Sequence, residues 1–277
     1  MAAASGDATP AVVPGPAGTG TAAPGRRRAR IGRVASRALG ARPTTTEAME
    51  VSMYYEPGRT GHGLPFDPFK SCVVPRPIGW ISTLDRSGAA NLAPYSQFQN
   101  VTFDPPIVMF SANQTTGGTR KDTTINAESE GAFVWNMATY DLREAVNLSA
   151  QELPAGTDEF EVAGLTKAPS RLVRPPRVAE SPVQFECTYM QTLRLPGGGV
   201  MGTVDVVFGR VVAVHIADWA LTPDGRLDVP RLKPLARLGY YDYTCVERVF
   251  SMTIPGTAAI NAGLEGSATK AADALGR

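Results

Sequence analysis

The chain is poor in the side chains that enzymes most often use for acid–base or metal chemistry. It holds two histidines, His62 and His215, too far apart in sequence to suggest a local metal pair. Its three cysteines, Cys72, Cys187 and Cys245, are odd in number and widely spaced, so they offer neither zinc-ligand spacing nor a disulfide framework. They read as small buried apolar side chains in a reducing compartment, which suggests the cytoplasm. Long apolar runs are missing too. The best candidate, VDVVFGRVVAVHIA (204–217), carries Asp205, Arg210 and His215 and cannot cross a bilayer as a lipid-facing helix. Its β-branched content reads as one long strand, or two joined at Gly209. There is no Gly-x-Ser-x-Gly elbow, no Gly-x-x-x-x-Gly-Lys-Ser/Thr loop, and no Gly-x-Gly-x-x-Gly opening a helix. Gly197-Gly198-Gly199 lies between two β runs and reads as a hairpin turn. Protein-driven proton transfer is therefore disfavoured. No catalytic side chain is assigned, and a bound cofactor, oriented by the protein, becomes the economical source of chemistry.

Charge is nearly balanced overall, at +1, but not along the chain. Of 27 basic and 26 acidic residues, seven arginines and two acids fall in residues 1–48, leaving 20 and 24 for the remainder. The body is thus mildly acidic and offers no polyanion-binding surface. Residues 1–48 are Ala/Gly/Pro-rich and then Arg-rich, cannot bury enough surface to fold, and are expected to be disordered. Three explanations fit them: an organelle transit segment, a basic tail touching nucleic acid, or a true start at Met49 or Met53. The late start is the expectation taken forward. A specific nucleic-acid role is disfavoured, since the tail lacks interleaved aromatics and the body does not continue its charge.

After a turn-rich arm (53–70), the text turns to β. Ile78–Leu84 and Ala89–Phe98 read as a hairpin around Asp85-Arg86-Ser87-Gly88, with Pro94 marking a bulge or edge. IVMFSA (107–112), FVWNMA (133–138), VQFECTYMQTLRL (183–195) and 204–217 read as further strands. Short helices are expected near 121–131, over Tyr140–Ala150, within 157–165 capped by Thr157 or Asp158, and in DVPRLKPLARLG. Helices and strands do not alternate regularly. The expected class is mainly β, an antiparallel β-barrel with α insertions, which would leave no exposed sheet edge. The expected domain runs over 49–254, followed by a peripheral tail, 255–277.

Two places could bind a ligand, each with a plainer reading. Gly117 and Gly118, then Arg120 and Lys121, then Asp122-Thr123-Thr124 opening a helix could offer N–H groups, a cation and hydroxyls to a phosphate. The same residues also make an ordinary capped helix with solvated basic side chains. Ser82-Thr83 reads as turn chemistry, and Trp80 as core. Arg76, between two prolines, reads as a surface ion pair or as a contact to a neighbouring element.

In series, VVPRPIGWIST (73–83), LDRSGAANLAPYSQF (84–98), DPPIVMFSA (104–112) and RKDTTIN (120–126) resemble the flavin reductase-like family, whose members fold as an FMN-binding split β-barrel. Stretches at 53–70, 158–166 and 174–187 extend the resemblance over roughly 53–253. It implies a homodimer with flavin in a groove at or near its interface. Trp80, Ser82 and Thr83 would border the ribityl or phosphate end. Asn91, Leu92, Ala93, Pro94, Tyr95 and Ser96 would run beside the ring system, and Lys121, Asp122 and Thr123 would lie at the phosphate. The implied activity is hydride transfer from NADH or NADPH to bound FMN, with FAD an alternative. Reduced flavin would serve a monooxygenase or another electron acceptor. A second reading is a flavin-binding electron carrier or storage protein without nicotinamide turnover. No metal and no membrane are implied.

Overall fold

The computed structural model describes residues 53–154, 156–199 and 201–252. The expectations for 1–48 and 255–277 lie outside them. The chain divides into two units, Met1–Thr60 and Gly61–Arg277. In the first, the described residues form a turn in which the Glu56 carbonyl accepts from the N–H groups of Arg59 and Thr60, both at 2.9 Å.

In the second unit a short helix, α1 (Phe69–Cys72), leads to β1 (Arg76–Pro77). Then follow β2 (Gly79–Leu84), β3 (Ala90–Tyr95), β4 (Phe98–Phe103) and β5 (Pro106–Asn113). Helix α2 (Asp122–Glu130) precedes β6 (Ala132–Asn136), and α3 (Arg143–Leu148) and α4 (Glu159–Val162) follow. Next come β7 (Lys167–Ala168), β8 (Arg177–Val178), β9 (Val183–Leu195) and β10 (Val204–Ile216). The last elements are α5 (Val229–Leu232), β11 (Leu235–Gly239) and β12 (Asp242–Cys245).

Seven strands form one antiparallel ladder in the order β3-β2-β6-β9-β10-β5-β4. A three-stranded sheet, β1-β11-β12, and a β7-β8 pair complete the fold, which is mainly β, antiparallel, with inserted helices. The large ladder ends on β3 and β4. Edge strand β3 accommodates Pro94, which has no N–H to contribute, opposite Trp80. Its outward Leu92 N–H is taken by a carboxylate oxygen of Glu159 on α4, at 2.9 Å.

The β2–β3 turn forms because Asp85 Oδ1 accepts from the N–H groups of Ser87 (2.8 Å) and Ala89 (2.9 Å), while Gly88 takes φ +90°. The returning strand stops at Tyr95, and Phe98 opens a separate strand, β4. Strand β10 is a single element with register shifts at Phe208/Gly209 and Val211/Ala213. A Cβ at Gly209 would stand 2.4 Å from the Phe133 ring, so only glycine fits there.

Strand β2 is buried at every position but the last because it separates two cores. One holds Ile81, Phe110, Phe133 and Val207, with Phe110 edge-on to Phe133 at 5.4 Å. The other holds Trp80, Leu92, Phe160 and Val178. A strand covered on both faces reads as a continuous apolar run, as GWISTL does. Cys187 is buried as expected, whereas Cys72 is exposed and Cys245 only partly covered. Arg76 makes no ion pair among the described residues. Its Nη1 donates to the carbonyls of Val73 (2.7 Å), Leu238 (2.9 Å) and Lys70, tying α1 to the end of β11.

Candidate functional site

A cavity of about 250 Å³ opens beside edge strand β3, walled by the start of α2, the Ser149–Leu153 loop and Glu159. Its loop wall is built by short hydroxyl and glycine contacts. Thr115 N–H donates to the Thr119 carbonyl (2.8 Å), Thr119 N–H donates to Thr115 Oγ1 (3.1 Å), and Gly118 sits at φ +77°. Lys121 is the N-cap of α2 and supplies no side-chain acceptor, so the first turn carries no side-chain cap.

Asn91 organises the polar floor. Its Oδ1 accepts from Thr123 Oγ1 (2.7 Å) and Thr83 Oγ1 (3.3 Å), and its Nδ2 donates to Glu159 Oε1 (3.0 Å). Burial pushes the Glu159 carboxyl above the ordinary range, against the donors from Leu92 and Asn91. Burial also pushes the Tyr95 phenol far up, with the Thr123 hydroxyl working in the opposite direction, so the phenol stays neutral.

The two cations at the cavity differ. Arg120 is committed: Nε donates to Asp205 Oδ2 (2.7 Å), and Nη1 and Nη2 grip Glu128 at 2.8 and 2.5 Å. That grip holds the Glu128 carboxyl below its usual value despite partial burial. Lys121 Nζ lies 2.6 Å from Glu152 Oε1, whose other oxygen accepts from Thr116 Oγ1 at 2.9 Å. The Lys121 hydrogen bond, followed by that from Thr116, holds the Glu152 carboxyl low.

Of the residues singled out in the sequence, Asn91, Ala93, Pro94, Tyr95, Lys121, Asp122 and Thr123 line this cavity together. Trp80, Ser82, Thr83 and Leu92, all fully buried, do not line it. Trp80 acts from behind the wall, where its Nε1 donates to Ser149 Oγ at 2.9 Å. Ser82 Oγ donates to the Pro176 carbonyl (2.5 Å) and accepts from Asn136 Nδ2 (3.3 Å), so it holds the core together. Ser96 faces a second groove of about 960 Å³ with Phe66, Lys70, Arg76, Arg237 and Tyr241. The run 91–96 thus passes from one cavity to the other. Glu152, Ser149 and Glu159 were not foreseen. They arrive from loops and a four-residue helix distant in sequence, and only the Asp158 cap of α4 was legible there.

Hydroxyls, a primary ammonium and an uncapped helix start form a donor set suited to a phosphate. The Ala93–Tyr95 wall beyond it is suited to a flat apolar body. Among the described residues no group of three or more His, Cys, Asp or Glu could hold a metal, and no helix is long and apolar enough to cross a membrane.

Comparison with known proteins matches residues 71–242 to the flavin reductase like domain. The uncharacterized protein BH2278 of Halalkalibacterium halodurans is 37% identical over 183 residues, covering 66% of this chain and 87% of that protein. The crystal structure of nitrilotriacetate monooxygenase component B from Bacillus cereus is 29% identical with a TM-score of 0.66, covering 73% of this chain and 98% of the other. A Shewanella frigidimarina structure described by its split barrel domain shares the fold. It is 22% identical with a TM-score of 0.59, covering 67% of this chain and 89% of its own.

Proposed function

Because the chain belongs to the flavin reductase-like family, we propose that it is a flavin-dependent oxidoreductase that takes electrons from NADH or NADPH. The supporting observation is the run Asn91–Ser96, whose residues line a phosphate-suited cavity at one end and an aromatic, cationic groove at the other. The residues fit FMN. Lys121, Thr123 and the first N–H groups of α2 would hold the phosphate, and Ala93, Pro94 and Tyr95 would flank the ring system. When bound, the flavin would supply the hydride-accepting centre that the protein's side chains lack.

The chain's own residues bind and orient. Asn91 and Glu159 fix the path of the edge strand, and Lys121 neutralises phosphate charge once it leaves Glu152. The neutral Tyr95 phenol adds no charge beside the ring. For the reductant, the groove offers the Phe66 and Tyr241 faces for stacking and the Lys70 and Arg237 cations for phosphates. None of these roles requires a side chain to exchange a proton. The active unit would be a homodimer. By analogy with the Bacillus cereus component B, reduced flavin would be passed to an oxygenase partner.

Steady-state oxidation of NADH and NADPH, with FMN or FAD added, tests this function. Turnover that depends on added flavin supports the reductase. Tight flavin binding without nicotinamide oxidation would instead make the protein an electron carrier or storage module.

A further inference from the structure

A third cavity, of about 440 Å³, lies at the far end of β9 and β10 and shares no lining residue with either of the two above. Its polar wall carries Arg171, Arg177 and His215, its apolar wall Pro182, Val214 and Ile216, and no Asp or Glu lines it. Among the described residues neither arginine pairs with a carboxylate. Arg177 is nonetheless held in place: Nε and Nη2 donate to the Pro169 carbonyl (3.2 and 3.1 Å), and Nη1 donates to Gln184 Oε1 (3.0 Å). All these acceptors are neutral, so its charge stays uncompensated, and two of its five N–H donors remain for a ligand.

One buried side chain organises the rest. Glu186, fully buried, accepts from the N–H groups of Arg171 (2.8 Å), Leu172 (2.6 Å) and Val173 (3.1 Å), and it lies 2.5 Å from His215 Nε2. A single carboxylate thus fixes both the loop bearing Arg171 and the imidazole of His215. Arg177 is thus preorganised for an anion by its own hydrogen bonds, while the exposed Arg171 side chain is carried on a fixed loop.

We propose that this cavity binds a small organic oxyanion, a carboxylate or phosphate monoester carried on a compact apolar body. Guanidinium groups match the planar fork of either oxyanion, and the exposed Val214 and Ile216 side chains offer apolar contact to the attached body, which a bare ion lacks. The site stands independently of the flavin reading.

The test is calorimetric titration of the full chain, with and without FMN, using benzoate, phenyl phosphate, inorganic phosphate and neutral benzamide. Benzoate or phenyl phosphate is expected to bind at millimolar concentration or tighter, and benzamide and inorganic phosphate at least about tenfold more weakly; whichever organic anion binds tighter names the source. Arg171→Gln, whose side chain makes no hydrogen bond among the described residues, should weaken binding by about tenfold, and Arg177→Met by about tenfold to a hundredfold. Lys121→Ala should leave it unchanged. No heat with either organic anion, benzamide equal to benzoate, or undiminished binding by Arg171→Gln would overturn the proposal.

Discussion

Lys121 Nζ sits 2.6 Å from Glu152 Oε1 at the mouth of the cavity beside the edge strand. The ammonium group best placed to receive a phosphate therefore already has an anionic partner, and a ligand must take its place. Glu152 lies on a loop rather than a regular element, which leaves it free to yield.

This competition makes a paired prediction. Lys121→Ala should weaken FMN binding by about 1–3 kcal/mol, the worth of a charge-assisted contact. Glu152→Gln should strengthen it by a few-fold, because Lys121 is released. Fluorescence titration with FMN and with riboflavin checks this, and neither substitution should alter riboflavin affinity.

Trp80→Phe separates a wall residue from a supporting one. The indole donates to Ser149 Oγ from within the core, so its loss should cost about 1–3 kcal/mol in urea unfolding. Flavin affinity should change by no more than about twofold. A large loss of affinity at intact stability would place the ring against the ligand after all.

Most of the fold was legible in the sequence where local chemistry decided it. The Asp85–Gly88 turn, the Gly131 stop of α2 at φ +73° and the Asp158 cap all follow from residue type. The split of Ala89–Phe98 into β3 and the start of β4 was hidden, because Ser96-Gln97 carries no Gly, Pro, Asn or Asp to signal a turn. At the site, Asn91 and Lys121 could be picked from text. Their partners Glu159 and Glu152 could not, since they lie 68 and 31 residues away and meet them only through tertiary packing. Trp80, Ser82 and Thr83 stand in a run whose pattern cannot tell a ligand-facing strand from one buried on both faces.

Gly209→Ala should destabilise the protein by about 1–3 kcal/mol, the range for overpacking a closed core. The new methyl would meet the Phe133 ring at 2.4 Å and Cys187 Cβ at 3.2 Å. Chemical denaturation measures the loss, and Gly198→Ala is the comparison, since Gly198 has nothing within 4 Å and no positive φ.

Acid should weaken the fold through Glu186. Burial raises its carboxyl, but the Arg171, Leu172 and Val173 N–H groups and His215 outweigh it and hold the group below its ordinary value of 4.5. A carboxyl lowered in the folded state adds stability that is complete above its unfolded value and is lost as pH falls through the folded one. Glu186→Gln should therefore be less stable than the native protein at pH 7. The gap should narrow steadily below pH 4.5, as read by urea midpoints across that range.

Thiol labelling should distinguish the cysteines. Cys72 is exposed and should react quickly with an aromatic disulfide reagent. Burial raises the Cys187 thiol, so it should react only on unfolding. Fast labelling of Cys187 in the Cys72→Ser variant would contradict the packing described for the core.

The most direct measurement follows the visible spectrum of the purified protein, mixed with FMN under anaerobic conditions, as NADH and then NADPH are added. If the edge strand cradles a flavin that the protein exposes to a nicotinamide, FMN should be taken up at micromolar concentration and its visible band should bleach with one of the two nucleotides. No uptake of FMN or FAD up to millimolar concentration would contradict the account.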